Sequence, residues 1–180
     1  NRDYDAPTIT MGLNATRGAD LRTTDGNHNS TYSYDFYFTV SDASNYNTPV
    51  VTGNTPLATS SIKTLTNTSG HTWKQTIEVP ATSIAYGGRI DHTYTINVTD
   101  QHGNASADSH ATLYITRNDF SPPTANVGFL SGQSQDVIFN TSVSHTGQTI
   151  TREVYVDWSD VGAGIDKTSI DYMTTNPSYG

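Results

Sequence analysis

The segment YSYDFYFTV, residues 32–40, alternates without interruption between a mainly aromatic set of side chains and a more polar set. Successive side chains of a strand point to opposite faces, so this period of two predicts a half-buried strand. Its buried face is expected to carry Tyr32, Tyr34, Phe36, Phe38 and Val40. Similar alternation recurs in TWKQTIEV, HTYTINVT and ATLYIT, which occupy residues 72–79, 92–99 and 111–116.

Glycine-containing turn signals separate these segments, at residues 25–27, 69–70, 87–88 and 102–104. About seven strands within about 110 residues, with turns between them, predict an all-β fold built as an antiparallel β-sandwich. The composition agrees, because only 33% of the residues are hydrophobic and Thr and Tyr are abundant. Branched and aromatic side chains of this kind suit half-buried strands.

Charge and composition exclude several classes of function. The formal net charge of −8 argues against a nucleic-acid partner, whose phosphates require Lys and Arg. The sequence contains no cysteine, so disulfide bonds do not stabilise it. No apolar run approaches the about 20 residues of a transmembrane helix, and no membrane insertion is expected in this segment.

One phrase occurs twice, as NRDYDAPTITMGL at the start and NDFSPPTANVGFL from residue 118. Residues 3–8 and 119–124 share an acid, an aromatic, a proline and a threonine, at the offset that separates Asp3 from Asp119. Ser41-Asp42 resembles Ser159-Asp160 at almost the same offset, and both follow an alternating segment. These matches predict a domain repeat of about 116 residues. The alternative is a chance match inside one domain.

The repeat implies a division of the chain. We expect residues 1–5 to be a linker from a preceding domain and residues 6–116 to be the first sandwich. Residues 117–123 would form a second linker, stiffened by Pro122 and Pro123, because proline fixes φ and favours extended chain. Residues 124–180 would then be the first part of a second sandwich, incomplete in this chain.

The sequence also resembles a family. The segment DHTYTINVTDQHGNAS, residues 91–106, is similar to the last hairpin of bacterial and archaeal immunoglobulin-like repeats, including cadherin-like ones. The segment DWSDVGAGID, residues 157–166, is similar to a loop of the same repeats. The resemblance implies tandem immunoglobulin-like sandwiches of a large adhesin or surface-layer protein. It also makes Tyr94 a candidate tyrosine corner, whose hydroxyl would bond to nearby backbone; the alternative is an ordinary core tyrosine.

Aspartates near predicted turns are candidate ligands for Ca²⁺, which takes six to eight oxygen atoms. Asp3, Asp5, Asp42 and Asp100 are expected to converge at one end of the first sandwich, and Asp119 would repeat Asp3 at the next junction. A second candidate loop holds Asp157, Asp160 and Asp166. None of these follows the EF-hand order, and the alternative is that they cap turns by accepting bonds from local backbone amides.

Asn-x-Ser/Thr sequons offer a second kind of site. They occur at Asn14, Asn29, Asn67, Asn97, Asn104 and Asn140. We expect these side chains to lie in loops or on outer strand faces. Glycans are predicted on some of them if the source is archaeal or eukaryotic.

Signatures of catalysis are missing from the sequence. It has no His-Glu-x-x-His pair, no cysteine nucleophile and no Gly-x-Ser-x-Gly elbow, and its only glutamates are Glu78 and Glu153. We therefore expect that the chain is not an enzyme. Tyr37, Tyr46 and Tyr86 are aromatics that could stack on sugars, although ordinary strand or loop tyrosines are the alternative.

The function predicted from these patterns is structural. The chain would be an assembly module of an extracellular cell-surface protein, a rigid spacer in a surface layer or adhesin stalk. Its partners would be neighbouring domains of the same chain and identical subunits in an array. Two alternatives stay open: a carbohydrate- or protein-binding accessory module of a secreted protein, and a decoration domain of a virion or filament.

Overall fold

The computed structural model describes residues 3–129 and 154–165. The chain divides into two units, the first ending at Phe120 and the second beginning at Ser121. The strands of the first unit are β1 Thr8–Met11, β2 Thr16–Arg22, β3 Thr31–Ser41, β4 Val50–Gly53, β5 Ile62–Ser69, β6 Thr72–Pro80, β7 Gly88–Asn97 and β8 Ser109–Asn118. One short helix, α1, spans Pro56–Ser61, and the described strands of the second unit are β9 Thr124–Phe129 and β10 Val154–Ser159.

The eight strands of the first unit form two four-stranded sheets, in the orders β1-β3-β6-β5 and β2-β8-β7-β4. The all-β sandwich predicted from the sequence is therefore confirmed. When β2 is left out, the other seven strands, counted along the chain, have the strand order of immunoglobulin domains. In those domains the first, second, fifth and fourth strands form one sheet, and the third, sixth and seventh form the other.

One strand pair departs from the predicted antiparallel arrangement, because β2 runs parallel to β8. The strand conformation is interrupted after β1, where Gly12 donates its backbone N–H to the carbonyl of Tyr37 and Asn14 adopts a left-handed φ of 61°. After this break the chain crosses from β3 to the other sheet without reversing its direction. It can then join the edge of β8 only in parallel.

The core lies between the two sheets and follows the predicted period of two. The fully or nearly fully buried side chains include Tyr34, Phe36, Phe38 and Val40 of β3, Ile77 and Val79 of β6, Tyr94 and Ile96 of β7, and Leu113 and Ile115 of β8. Removing such a side chain from water contributes about 1.5–3 kcal/mol to folding. The partly buried Tyr32 and Trp73 pack against this cluster.

Tyr94 is not a tyrosine corner. Its hydroxyl lies 2.6 Å from Ser61 Oγ and 3.2 Å from His92 Nδ1, inside the core. The reason is its position within β7, where α1 brings the Ser61 hydroxyl to that of Tyr94. The helix can approach this closely because Gly53 has no side chain; a Cβ there would lie 2.4 Å from the backbone nitrogen of Thr59.

The chain enters and leaves the first unit at opposite poles. Thr8, at the start of β1, pairs with Ser41 at the end of β3. Arg117, near the end of β8, pairs with Gly88 at the start of β7. We call the end at residues 3–7, 42–49, 70–71 and 98–106 the entry pole, and the end at residues 23–30, 81–87 and 117–120 the exit pole.

The exit pole includes residues that the sequence predicted to be linker. We expected the linker to begin at residue 117, but β8 continues through Asn118. Arg117 is buried and donates to the backbone carbonyls of His28 and Ile84 and to Asn29 Oδ1, at 2.7–2.8 Å. Its guanidinium also lies 4.0 Å from the centre of the Tyr86 ring.

In the second unit, β9 and β10 form an antiparallel pair in which Thr124 lies opposite Ser159. In the first unit, Thr8 lies opposite Ser41. The sequence alignment matched Thr8 with Thr124 and Ser41 with Ser159. The two matched segments therefore form the same strand pair in the same register.

Candidate functional site at the entry pole

Asp100 is the buried acid of the entry pole, with 1% of its surface exposed. Its Oδ1 accepts from the backbone N–H groups of His102 and Asn104, at 2.8 and 2.7 Å, and its Oδ2 accepts from Asn104 Nδ2 at 2.8 Å. Burial acts to raise the pKa of Asp100, but these hydrogen bonds from Asn104 and His102 outweigh it and lower that pKa. The carboxylate therefore stays ionised and caps the turn at Gly103, whose φ is 92°.

The side-chain amide of Asn104 joins this turn to the entering chain. Besides Asp100, Nδ2 donates to the backbone carbonyls of Asp3 and Asp5, at 3.2 and 3.5 Å. Asp3 in turn accepts the backbone N–H of Asp5 at 3.0 Å. This bond has the largest effect on the pKa of Asp3 and lowers it, and the Ser44 hydroxyl lowers it further.

The predicted convergence of aspartates at this pole is partly visible. Ligand atoms of Asp3, Asp100 and His102 lie within 4.8 Å of one another. Asp42 is not part of this group, and its Oδ2 accepts from the Ser44 hydroxyl at 3.1 Å. Its buried Oδ1 has no hydrogen-bond partner among the described residues.

These groups fit a calcium ion only in part. Two carboxylates and the carbonyls of Asp3 and Asp5 are oxygen donors that Ca²⁺ accepts, but a histidine nitrogen is not. The amide nitrogen of Asn104 already lies among three of these oxygens and satisfies them by hydrogen bonding. The observed contacts are thus those of a capped turn, and a cation would have to displace the Asn104 amide.

The other predicted metal ligands lie elsewhere. Asp119 belongs to the exit pole, remote from Asp3 within the first unit. In the second unit, Asp157 lies on β10 opposite Asn126, and Asp160 Oδ2 accepts the backbone N–H of Gly164 at 2.8 Å. Asp166 lies outside the described residues. Within residues 3–129 and 154–165, the set at Asp3 is the one group of three metal-ligating side chains.

Five of the six sequons lie in the described residues, and their side chains are engaged. The amide nitrogens of Asn14, Asn67, Asn97 and Asn104 donate hydrogen bonds within the protein, whereas Asn29 accepts from Arg117. Asn29 and Asn67 are exposed, and Asn14, Asn97 and Asn104 are half-buried. A glycan on Asn97 would disturb its bonds to Ser106 and Asp108, at 3.1 and 3.0 Å. Asn140 lies outside the described residues.

A cleft beside the acidic cluster was missed by the sequence reasoning. It has a volume of about 380 Å³ and is lined by residues 44–48 and by Asn67, Gly70, His71 and Trp73. Of these, only Tyr46 was considered as a ligand-contacting aromatic. The cleft joins two loops that are distant in the sequence, so no local motif marks it.

Comparison with known proteins assigns no family. No protein-family model matches the chain, and no curated protein matches it. Similar solved structures include the SrpA adhesin of Streptococcus sanguinis, with 20% identity and a TM-score of 0.44 over 65% of this chain and 59% of that one. A mutant of that adhesin has 19% identity and a TM-score of 0.43 over 66% and 60%. The GspB Siglec domain has 16% identity and a TM-score of 0.39 over 67% and 61%.

These matches span about 60% of the length of the solved chains. Similarity at this level transfers no ligand, partner or functional residue to this chain. As for membranes, the described residues include no helix that is long and apolar enough to cross a bilayer.

Proposed function

We propose that this chain is a structural module of an extracellular cell-surface protein, in which immunoglobulin-like sandwiches follow one another along one chain. The observation that carries the proposal is the placement of the entry and exit of the first unit at opposite poles. A domain of this kind transmits tension along its own length. It would act as a rigid spacer and as a contact surface for neighbouring domains or identical subunits.

The pairing of the outermost strands supports this mechanical role. All seven residues of β2 pair with β8 in parallel, from Thr16 opposite Thr112 to Arg22 opposite Asn118. Towards the N-terminus, the chain leads from β2 back through β1 to the entry pole, and towards the C-terminus it continues from β8 to the exit pole. Tension between the two ends would therefore shear β2 along β8, so that all hydrogen bonds between these two strands are loaded at the same time.

The anchoring of both ends supports it as well. At the entry pole, Asn104 holds the backbone of Asp3 and Asp5. At the exit pole, Arg117 holds three acceptors and the backbone N–H of Phe120 donates to Thr23 Oγ1 at 2.9 Å. The shared register of β1–β3 and β9–β10 supports a tandem repeat, which is the arrangement that a stalk or array requires.

Force spectroscopy tests the proposal. The chain would be pulled once through its two ends and once through attachment points at Gly70 and Gly103, which both lie at the entry pole. Pulling through the ends should unfold the first unit in one event and at the higher force, because the β2–β8 pair is then sheared. An equal or lower force through the ends would contradict a tension-bearing role. Antibody labelling of intact source cells checks the extracellular location separately.

A further inference from the structure

The cleft at the entry pole has an ordered aromatic wall. The Tyr46 hydroxyl lies 3.0 Å from His71 Nδ1, and the centres of the two rings are 5.7 Å apart. Trp73 also lines the cleft, and its ring packs against the core of the sandwich. The backbone bridge between Tyr46 and Asp100 fixes the loop that carries the tyrosine. The wall is therefore largely preformed.

Besides the His71 imidazole, the polar side chains that line the cleft are amides and hydroxyls. Three of its lining residues are Asn45, Asn47 and Asn67. Asn47 Nδ2 donates to the carbonyl of Asp100 at 3.1 Å, and Asn67 Nδ2 donates to the carbonyl of Gly70 at 2.7 Å. Each bond orients an amide that keeps further donor or acceptor capacity. No carboxylate, lysine or arginine is among the described residues that line the cleft.

We infer that this cleft binds a neutral pyranose sugar, such as one unit of a glycan. The C–H face of a pyranose stacks on aromatic rings, and its adjacent hydroxyls match side-chain amides that offer a donor and an acceptor. The volume lies in the range of small-molecule sites.

The surrounding charge selects a neutral sugar over an acidic one. Asp3, Asp42 and Asp100 all belong to the same pole, and both Asp42 and Asp3 interact with Ser44, which lines the cleft. The chain as a whole carries a net charge of −8. An anionic sugar would meet repulsion on approach, whereas a neutral one would not.

A peptide is disfavoured, because the backbone of both loops is already paired. Asn47 donates its N–H to Thr99, and Asn45 accepts from Gln101 through its carbonyl. The carbonyl of His71 accepts from Val40 at 3.0 Å. Peptides that extend a sheet need free main-chain groups, and these loops present side chains instead. This inference goes beyond the spacer role and does not rest on it.

The test is a titration of the whole chain, followed by NMR of the backbone amides. The probes are the methyl glycosides of glucose, galactose, mannose and N-acetylglucosamine, with N-acetylneuraminic acid as the acidic comparison. At least one neutral glycoside should give saturable shifts confined to residues 44–48 and 67–73, with millimolar affinity. Tyr46→Ala should weaken binding at least about tenfold, because the stacking surface is lost, whereas Tyr46→Phe should stay within about threefold.

Two further variants keep the test decisive. Asn45→Ala changes an exposed side chain of the cleft and should weaken binding without altering the fold, should Tyr46→Ala prove unstable. Tyr114→Ala removes a tyrosine on β8 in the other sheet and should leave binding unchanged. The inference is wrong if no neutral glycoside gives saturable shifts there, if only the acidic sugar does, or if a peptide binds the cleft instead.

Discussion

The pairs β1–β3 and β9–β10 have the same register but different surroundings. Val40 of β3, opposite Ile9, has no exposed surface, whereas the matching Trp158 of β10, opposite Ala125, is 38% exposed. Val127 of β9 is 63% exposed, although the matching Met11 packs against the core. In the first unit, β7 and β8 cover this face. The described part of the second unit has a two-stranded sheet. The register of two paired strands thus depends on the strands themselves, whereas the burial of their side chains depends on the opposing sheet.

The largest effect that this comparison predicts concerns aromatic side chains on the matched faces. Phe38→Ala should destabilise the first unit by about 3–5 kcal/mol, because Phe38 is fully buried and the change leaves a cavity. Trp158→Ala should leave the stability of the first unit unchanged. Urea denaturation followed by fluorescence measures this, with Phe38→Ala made in the Trp158→Ala background.

That background isolates the first unit, because Trp73 is then the one tryptophan of the chain. The matched control is the Trp158→Ala variant alone. An unfolding midpoint shifted as far by Trp158→Ala as by Phe38→Ala would show that the two units share stability, and would break the contrast between the two strand pairs.

The second prediction concerns the boundary between the units. Arg117→Ala should lower the free energy of unfolding by about 2–4 kcal/mol, because it removes the charge-assisted hydrogen bonds that Arg117 donates to the carbonyls of His28 and Ile84. Arg117→Lys should recover only part of this, since an ammonium lacks the planar fork that reaches several acceptors. The free energy of unfolding from urea titration measures both.

Arg89→Ala is the matched control. Arg89 bonds Asp91 and lies over Tyr114, but both charged side chains are more than half exposed. Its replacement should change stability by no more than about 0.5 kcal/mol. Limited proteolysis of the Arg117→Ala variant should move the first cleavage into β8, whereas the parent chain should be cut between residues 118 and 123. Unaltered cleavage would mean that Arg117 does not set the boundary.

The contrast between the two units also explains what the sequence could predict. Period-two alternation identified β3, β6, β7 and β8, because each packs one face on a core. The pattern of β2, TRGADLR, could not be identified, since Leu21 is its one buried side chain and the strand forms a parallel edge. Helix α1 was missed because six residues are too few for a helical period; its visible signal is Thr55, which accepts the N–H of Ala58.

The candidate site was predictable to the extent that it depends on strand ends. Residues that follow β3 and β7 lie at the same end of a sandwich, so the approach of Asp42 and Asp100 to the entering chain could be inferred. The role of Asn104 could not, because an Asn in a turn carries no signal of which oxygens its amide will reach. The cleft between Tyr46 and His71 depends on the packing of two distant loops, which local patterns do not encode.

The third prediction uses acid to separate the entry pole from the rest of the fold. The folded-state pKa of Asp100 lies below its ordinary value of 3.8. Because the pKa is lower in the folded than in the unfolded chain, the ionised carboxylate stabilises the fold at pH values above the unfolded-state pKa. This contribution disappears as the pH falls below about 3.8. The same sign holds for Asp3. Thermal melting between pH 7 and pH 2 should show this loss.

Asp100→Asn is the discriminating variant for that experiment. It keeps an oxygen that can accept the N–H groups of His102 and Asn104, but it cannot titrate. The variant should be less stable than the parent at pH 7 and should lose less stability on acidification. Parallel pH profiles for the two proteins would show that Asp100 does not contribute to acid sensitivity.

The smallest expected effect is that of Ca²⁺ on the entry pole. Asp3 and Asp100 and the carbonyls of Asp3 and Asp5 are oxygen donors gathered around the Asn104 amide. A cation must displace that amide, so we expect the weak affinity, about 10⁻⁴–10⁻³ M, of extracellular modules. Ca²⁺ at about ten times its dissociation constant stabilises the folded state by about 1.4 kcal/mol. Melting in millimolar Ca²⁺ and in EDTA measures it.

The comparison of the two units decides how a calcium result is interpreted. Asp42 and Asp160 occupy matching positions of the aligned segments, yet Asp160 caps the N–H of Gly164, and among the described residues the group at Asp3 lies in the first unit. A rise in the melting temperature that Asp100→Asn abolishes would place the ion at the entry pole. A rise that survives Asp100→Asn would place it elsewhere. An unchanged melting temperature would leave these acids as turn caps, with the Asn104 amide holding the entering chain where a cation was expected to hold it.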